Sequence, residues 1–146
     1  MNIQNTDKYK LGKLGESLVA KLFELKQSVD PFDVEGDLKD AAGKNYEVKT
    51  QVRHPFKGVF TINTKNISNM KKCFEVDHLI FVEYNVDDVI RVWECTDRDT
   101  CETFTTRDGR EMLGWKINRM KLLKEIEDPT VAGQMRALSS SSFIRR

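Results

Sequence analysis

Three residues have types and a spacing that suit phosphodiester hydrolysis: Asp37, Glu47 and Lys49. Cleaving a phosphodiester requires an attacking water, stabilisation of the charge on the phosphate, and help for the departing oxygen. Hard cations such as Mg²⁺ meet these needs and prefer carboxylates, carbonyls and waters as ligands. Two convergent carboxylates with a lysine beside them, able to polarise the water, therefore indicate a metal-dependent hydrolytic site.

A β-hairpin is the element that would bring the two carboxylates together. Two extended segments flank Ala41-Ala42-Gly43, and a three-residue loop with Gly last suits a hairpin whose final loop position is left-handed. If Asp40 faces Lys44 across this loop, Asp37 lies opposite Glu47. Directly opposed residues of an antiparallel pair share a face and lie close together. A bulge would shift this register by one residue.

The second strand of the hairpin carries three polar side chains on one face. Side chains alternate along a strand, so Glu47, Lys49 and Gln51 point the same way. A fourth polar residue, Glu16, lies in a preceding segment with helical periodicity, which predicts an amphipathic helix over about residues 8–27. Glu16 reaches the same site if this helix packs against the hairpin.

The remaining pattern predicts a mixed sheet with further helices packed on it, and hence an α/β fold. We expect strands over 59–62, 78–84 and 89–94, a hairpin of 103–107 with 112–117, a short helix over 66–74, and a helix over 119–127 capped by Asn118. Residues 1–128 are expected to form one domain. Residues 129–146 are expected to form a partly flexible tail with one last helical turn.

The residues of this motif resemble those of a known nuclease superfamily. The order Glu16 on a helix, Asp37, and then Glu47-Val48-Lys49 resembles the PD-(D/E)XK nuclease superfamily. The layout is also similar to archaeal-type Holliday-junction resolvases and to phage and intron-encoded nucleases of that superfamily. The resemblance covers about residues 8–95. It implies a restriction-endonuclease-like fold, with a mixed central sheet flanked by helices.

The resemblance implies roles for individual residues. It implies a catalytic set of Asp37, Glu47, Lys49, Glu16 and Gln51. In this superfamily the Asp and the Glu hold Mg²⁺, for which Mn²⁺ can substitute, together with the carbonyl of the intervening residue, here Val48. The Lys activates the water, and the helix Glu adds a metal contact directly or through water. Gln51 matches a polar position two residues after the Lys.

The chain departs from the family pattern before the first acid. The proline that gives the superfamily its name is absent, because Gly36 precedes Asp37. Asp33 is therefore an alternative first acid. The hairpin register favours Asp37.

DNA is the partner that this chemistry implies, and two groups of residues are predicted to contact it. Arg53, His54 and Lys57 follow the motif strand directly. Lys116 and Arg119 belong to the basic C-terminal third, where residues 101–146 carry nine Lys and Arg against six Asp and Glu. The substrate is a branched junction or a specific duplex site. Because one domain carries one site, double-strand cutting predicts a homodimer or a higher homo-oligomer.

Composition bounds the class of protein and leaves one alternative open. The 146 residues fit a single domain. No apolar run is long enough for a membrane span, and none resembles a signal peptide. We therefore expect a cytoplasmic protein without membrane contact, in the host cytoplasm if the gene is phage-borne. Three cysteines without a CxxC pair predict reduced structural thiols. The alternative function is a non-catalytic nucleic-acid-binding or assembly module on the same fold.

Overall fold

The computed structural model describes residues 6–27, 38–52, 58–84 and 88–143. It contains three α-helices: α1 (Asp7–Phe23), α2 (Ile67–Glu75) and α3 (Pro129–Phe143). Its strands are β1 (Lys26–Gln27), β2 (Leu38–Lys39), β3 (Asn45–Val52), β4 (Val59–Asn63), β5 (His78–Tyr84), β6 (Val89–Cys95), β7 (Glu102–Thr105), β8 (Glu111–Lys116) and β9 (Lys121–Glu127). No helix in these ranges is both long and apolar enough to cross a membrane.

Helix α1 forms as predicted but ends earlier than residue 27. The Thr6 hydroxyl caps its start by accepting a hydrogen bond from the Tyr9 N–H at 3.2 Å. At the other end Glu24 adopts a left-handed conformation with φ 56°, and its N–H donates to the Ala20 carbonyl. This conformation closes the last turn and lets Lys26 and Gln27 leave the helix as β1.

The predicted hairpin of β2 and β3 is confirmed, and its register agrees with the prediction. Leu38 pairs with Tyr46 and Lys39 with Asn45, and the Asp40 N–H donates to the Lys44 carbonyl at 3.1 Å. The Asp40 carboxylate accepts hydrogen bonds from backbone N–H groups of the loop, and the bond from Lys44 is the main reason that its pKa is lowered. Asp33 and Asp37 lie outside the described residues, so the pairing of Asp37 with Glu47 stays a prediction.

The strands form two sheets. The larger, six-stranded sheet has the order β1-β2-β3-β5-β6-β9, in which β3 and β5 are parallel and the other neighbours are antiparallel. The smaller sheet has the order β4-β8-β7 and is antiparallel. Strand β4 and helix α2 lie in the crossover from β3 to β5. The apolar run of β5 occupies the centre of the larger sheet, as its composition predicted.

Each face of the larger sheet has its own core. One face packs against α1 and α3, with Val48, Ile80 and Val82 in the buried cluster. The opposite face packs against the smaller sheet and α2, where Phe81 and Trp115 are buried together. Helices and sheets therefore surround a mixed central sheet, which confirms the α/β class.

The predicted helix over residues 119–127 is wrong, because this segment is strand β9. It pairs with β6 in antiparallel fashion, and Asn118 lies in a short 3₁₀ turn rather than at a cap. Val92 of β6 pairs with Lys124, but the next residue, Trp93, pairs with Leu122. Leu123 is therefore an extra, unpaired residue that forms a β-bulge in β9. The bulge explains the error: Leu123 and Ile126 face the core three residues apart, a spacing that resembles a helix rather than a strand.

The predicted C-terminal tail is largely the helix α3. Pro129 occupies the first helical position, where its missing N–H costs nothing, and Asp128 caps the helix by accepting from the Val131 N–H at 3.0 Å. Ala132 and Met135 are fully buried in the cluster beneath α1. The folded unit therefore extends beyond residue 128.

Candidate active site

A cleft of about 560 Å³ opens between α1, β3, β4 and α2. Its lining includes four residues of the predicted catalytic set, Glu16, Glu47, Lys49 and Gln51, together with the backbone neighbour Val48. It also includes residues from α2 and from the region that precedes and begins β8. Elements far apart in sequence thus meet at one concave surface, the usual location of a ligand site.

Strand β3 contributes the floor of the cleft. Glu47 is only 2 % exposed, whereas Lys49 and Gln51 are half-buried, and all three line the cleft. Val48, between them, belongs to the buried cluster on the opposite face. The alternation of β3 therefore puts Glu47, Lys49 and Gln51 on the same face of the strand, while Val48 and Thr50 of the other face also contribute to the lining.

Helix α1 brings Glu16 to the same cleft through an unusually close approach to β3. A Cβ atom added at Gly15 would lie 1.8 Å from the Thr50 Oγ1, so only glycine fits at this crossing. Glu16 follows it, and its side chain is 13 % exposed and lies 3.3 Å from the Lys13 ammonium. The condition set for Glu16, that the helix packs against the second strand of the hairpin, is thus met, and the absence of a side chain at Gly15 permits the close approach.

Asn69 holds the Lys49 side chain in place. The Lys49 Nζ donates a hydrogen bond to the Asn69 Oδ1 at 2.6 Å. Asn69 is itself fixed in the first turn of α2, because its backbone N–H donates to the side chain of the cap residue Asn66 at 3.0 Å. The ammonium has three donors, so one is used for positioning and two can serve a ligand. Sequence reasoning missed Asn69, since only the crossover brings α2 to β3.

Gln51 joins the two sheets. Its side-chain carbonyl accepts from the Thr61 N–H at 3.1 Å, and its amide N–H donates to the Thr61 carbonyl. Strand β4 is an edge of the smaller sheet, so the amide of Gln51 replaces the neighbouring strand that Thr61 would otherwise need. Gln51 lines the cleft, and these bonds give it a structural role beside any contact with a ligand.

Replacing Gln51 with alanine is expected to destabilise the protein by about 1–3 kcal/mol, because two backbone groups of the buried Thr61 lose their partners. Gln51→Glu has the same shape but sets a carboxylate oxygen against the Thr61 carbonyl at neutral pH. Protonation restores the donor, so the pKa of the new carboxyl is raised in the folded state. The contribution of this side chain to the free energy of unfolding should thus be present at acidic pH and lost as the pH rises.

Chemical denaturation of wild type, Gln51→Ala and Gln51→Glu at pH 4 and pH 7 measures this effect. Equal stability of the glutamate variant relative to wild type at both pH values would contradict the bridging role.

The buried thiols of Cys73 and Cys95 are unreactive at neutral pH. Burial raises the pKa of Cys73, on α2, to about 11 and that of Cys95 to about 12. Both side chains are protonated at neutral pH and therefore are poor nucleophiles and poor metal ligands. The cysteines are free thiols, as the sequence predicted.

The oxygen donors of the cleft suit a hard divalent cation. Glu16 and Glu47 supply carboxylates, and Val48 lies between the two β3 side chains that line the floor. Within the part of the chain that the structure describes, no three His, Cys, Asp or Glu side chains are grouped closely enough to hold a metal ion. The two candidates for a third carboxylate, Asp33 and Asp37, are outside that part.

The structure places two of the five predicted DNA contacts outside the cleft. Lys116 and Arg119 are exposed but are not among its lining residues, and the Lys116 Nζ lies 3.4 Å from a Glu102 carboxylate oxygen. Arg53, His54 and Lys57 are outside the described residues. The cations that do line the cleft besides Lys49 were not predicted: Lys8, Lys13, Lys72 and Arg110. Their sequence spacing carries no signal, because three separate elements contribute them.

No protein-family model matches the chain, and no curated protein matches it significantly in sequence. The geometry of the cleft and the resemblance of its motif are therefore the features that bear on its function.

Proposed function

We propose that the protein is a metal-dependent DNA endonuclease that hydrolyses phosphodiester bonds in the cleft between α1 and β3. One observation carries the proposal: Glu16, Glu47 and Lys49, from two separate elements, line the same cleft. Carboxylates beside a positioned ammonium are what metal-assisted hydrolysis of a phosphodiester requires. A solvated charged hairpin would instead leave Glu47 exposed, whereas it is 2 % exposed.

Each residue has a specific role in this proposal. Asp37, Glu47 and the carbonyl of Val48 would hold Mg²⁺, with Mn²⁺ as a substitute and Glu16 as a further contact. The bound cation supplies charge stabilisation at the phosphate and a more acidic water. Lys49, positioned by Asn69, orients the attacking water and stabilises the negative charge that develops on it.

The same resemblance supports a more specific fold and assembly. We propose that the mixed sheet is of the restriction-endonuclease-like type, since α1 precedes a hairpin whose second strand carries Glu47 and Lys49. A homodimer would supply the two sites that double-strand cutting requires. The order of elements and the positions of these residues support this assignment.

The test is DNA cleavage with Mg²⁺, with Mn²⁺ and with EDTA on plasmid, linear duplex and four-way junction substrates. Cleavage should require the metal and should be lost in Glu47→Gln and Asp37→Asn. The matched control is Glu75→Gln, which removes a carboxylate that is exposed on α2 and outside the cleft. Cleavage that persists in EDTA would contradict the metal requirement. Binding without cleavage of any substrate would favour the non-catalytic nucleic-acid-binding or assembly module.

A further inference from the structure

Positive charge is concentrated at the candidate active site although the whole chain is nearly neutral. Among the described residues that line the cleft, five are cations and two are carboxylates, an excess of three positive charges. The net charge of the entire chain is +1. A cleft with walls of low polarizability focuses such a field and raises the local concentration of an anionic ligand.

Three of the additional cations that line the cleft come from three different elements. Lys8 comes from the first turn of α1, Lys72 from the last turn of α2, and Arg110 from the residue that precedes β8. Lys8 and Arg110 are exposed, whereas Glu47 on the floor is buried. A ligand in the cleft therefore has cations from three elements among the residues that surround it.

The arrangement matches a linear polyanion better than a small anion. Three cations carried by three different elements can contact several phosphates of one strand, whereas a small anion needs only one group of donors. Arg110 has an ion pair with Asp108 at 3.0 Å, but both side chains are at least half exposed, so this pair is weak and can be exchanged for a phosphate. Lysine and arginine side chains of this kind supply most of the contacts of proteins to the DNA backbone.

We infer that Lys8, Lys72 and Arg110 form the phosphate-binding track that guides a DNA strand across the cleft to Glu47 and Lys49. This inference rests on the proposed function for its choice of DNA as the polyanion. It replaces Lys116 and Arg119, which lie outside the cleft, as the principal backbone contacts. Because the contacts are to phosphate, affinity should depend strongly on salt and little on base sequence.

The test measures binding without cleavage. Fluorescence anisotropy in EDTA follows a labelled duplex, a single strand of the same sequence and a four-way junction, at several salt concentrations. The test protein is the triple variant Lys8→Gln, Lys72→Gln, Arg110→Gln. Its matched control is Lys116→Gln, Arg119→Gln, Lys121→Gln, which removes the same charge from exposed residues outside the cleft. Thermal melting checks that both variants remain folded.

The cleft variant should bind at least one of these DNAs more than about tenfold more weakly than wild type, and its salt slope should fall by about 0.9 for each lost phosphate contact on a duplex. The control variant should stay within about twofold of wild type, because its charges are exposed to solvent, where salt screens them, and do not line the cleft. Equal losses in the two variants, unchanged affinity in the cleft variant, or no DNA binding by wild type would each overturn the inference. Loss of binding in the cleft variant alone, with no cleavage by wild type in Mg²⁺, would retain the track and reject the nuclease.

Discussion

Lys49→Met is expected to lower the rate of metal-dependent DNA cleavage by about 10²–10⁴-fold, the usual contribution of a positioned proton-handling or water-orienting group. Methionine keeps most of the length and the apolar stem of lysine, so the half-buried side chain should still fill its place. What is lost is the ammonium, which the 2.6 Å hydrogen bond to Asn69 holds in the cleft. Single-turnover cleavage, measured alongside anisotropy in EDTA, separates this chemical defect from a loss of DNA affinity.

The control for Lys49→Met is Lys72→Met, because Lys72 also lines the cleft but lies on α2 rather than on the motif strand. This control should bind DNA more weakly while cleaving at a nearly normal rate once bound. If Lys49→Met cleaves within a few-fold of wild type, Lys49 does not orient the water. If both variants lose the cleavage step equally, the effect is one of local charge alone.

Met135→Ala is expected to destabilise the protein by about 2–5 kcal/mol, the range for truncating a long buried side chain. Met135 is fully buried where α3 meets the core shared by α1 and the central sheet. Since a single domain is stable by only about 5–15 kcal/mol, this change removes a large share of the total. Removing residues 129–146 would eliminate the whole helix and expose this core.

Thermal unfolding measures the effect, with a shift of about 2–4 °C for each kcal/mol in a domain of this size. Gln134→Ala is the matched control, because Gln134 is the exposed neighbour of Met135 on the same helix. The two variants should melt at clearly different temperatures. Identical melting temperatures would mean that α3 does not stabilise the folded unit.

Local patterns were sufficient for the parts of the fold in which each strand follows its own periodicity. The apolar run of β5, the alternation of β6 and the loop of Ala41 to Gly43 all predicted the elements that form. Periodicity gave a wrong prediction for β9, because the extra residue of the bulge at Leu123 converts a strand's period of two into an apparent helical spacing. The length of helix α3 exceeds the single turn predicted, since its residues Ser139 to Ser142 resemble a linker in sequence.

The candidate site was predictable only along single elements. Strand alternation is enough to place Glu47, Lys49 and Gln51 on one face, and that face does line the cleft. The contribution of Glu16 required an assumption about packing, which the contact between Gly15 and Thr50 satisfies. Asn69 and Lys72 depend on the crossover that carries α2 to β3, and Arg110 depends on the pairing of β8 with β4. No local pattern encodes that long-range placement.

The contact between Gly15 and Thr50 also determines how this protein can be made more heat-resistant. Exchanging a helical glycine for alanine usually strengthens a helix by up to about 1 kcal/mol, so both glycines of α1 are obvious targets for an engineer. At Gly12 the added methyl group would meet no atom within 4 Å, and the exchange is sterically open. At Gly15 the methyl would collide with Thr50, pushing α1 and its Glu16 away from β3. The same exchange is thus sterically open at Gly12 and blocked at Gly15, three residues away.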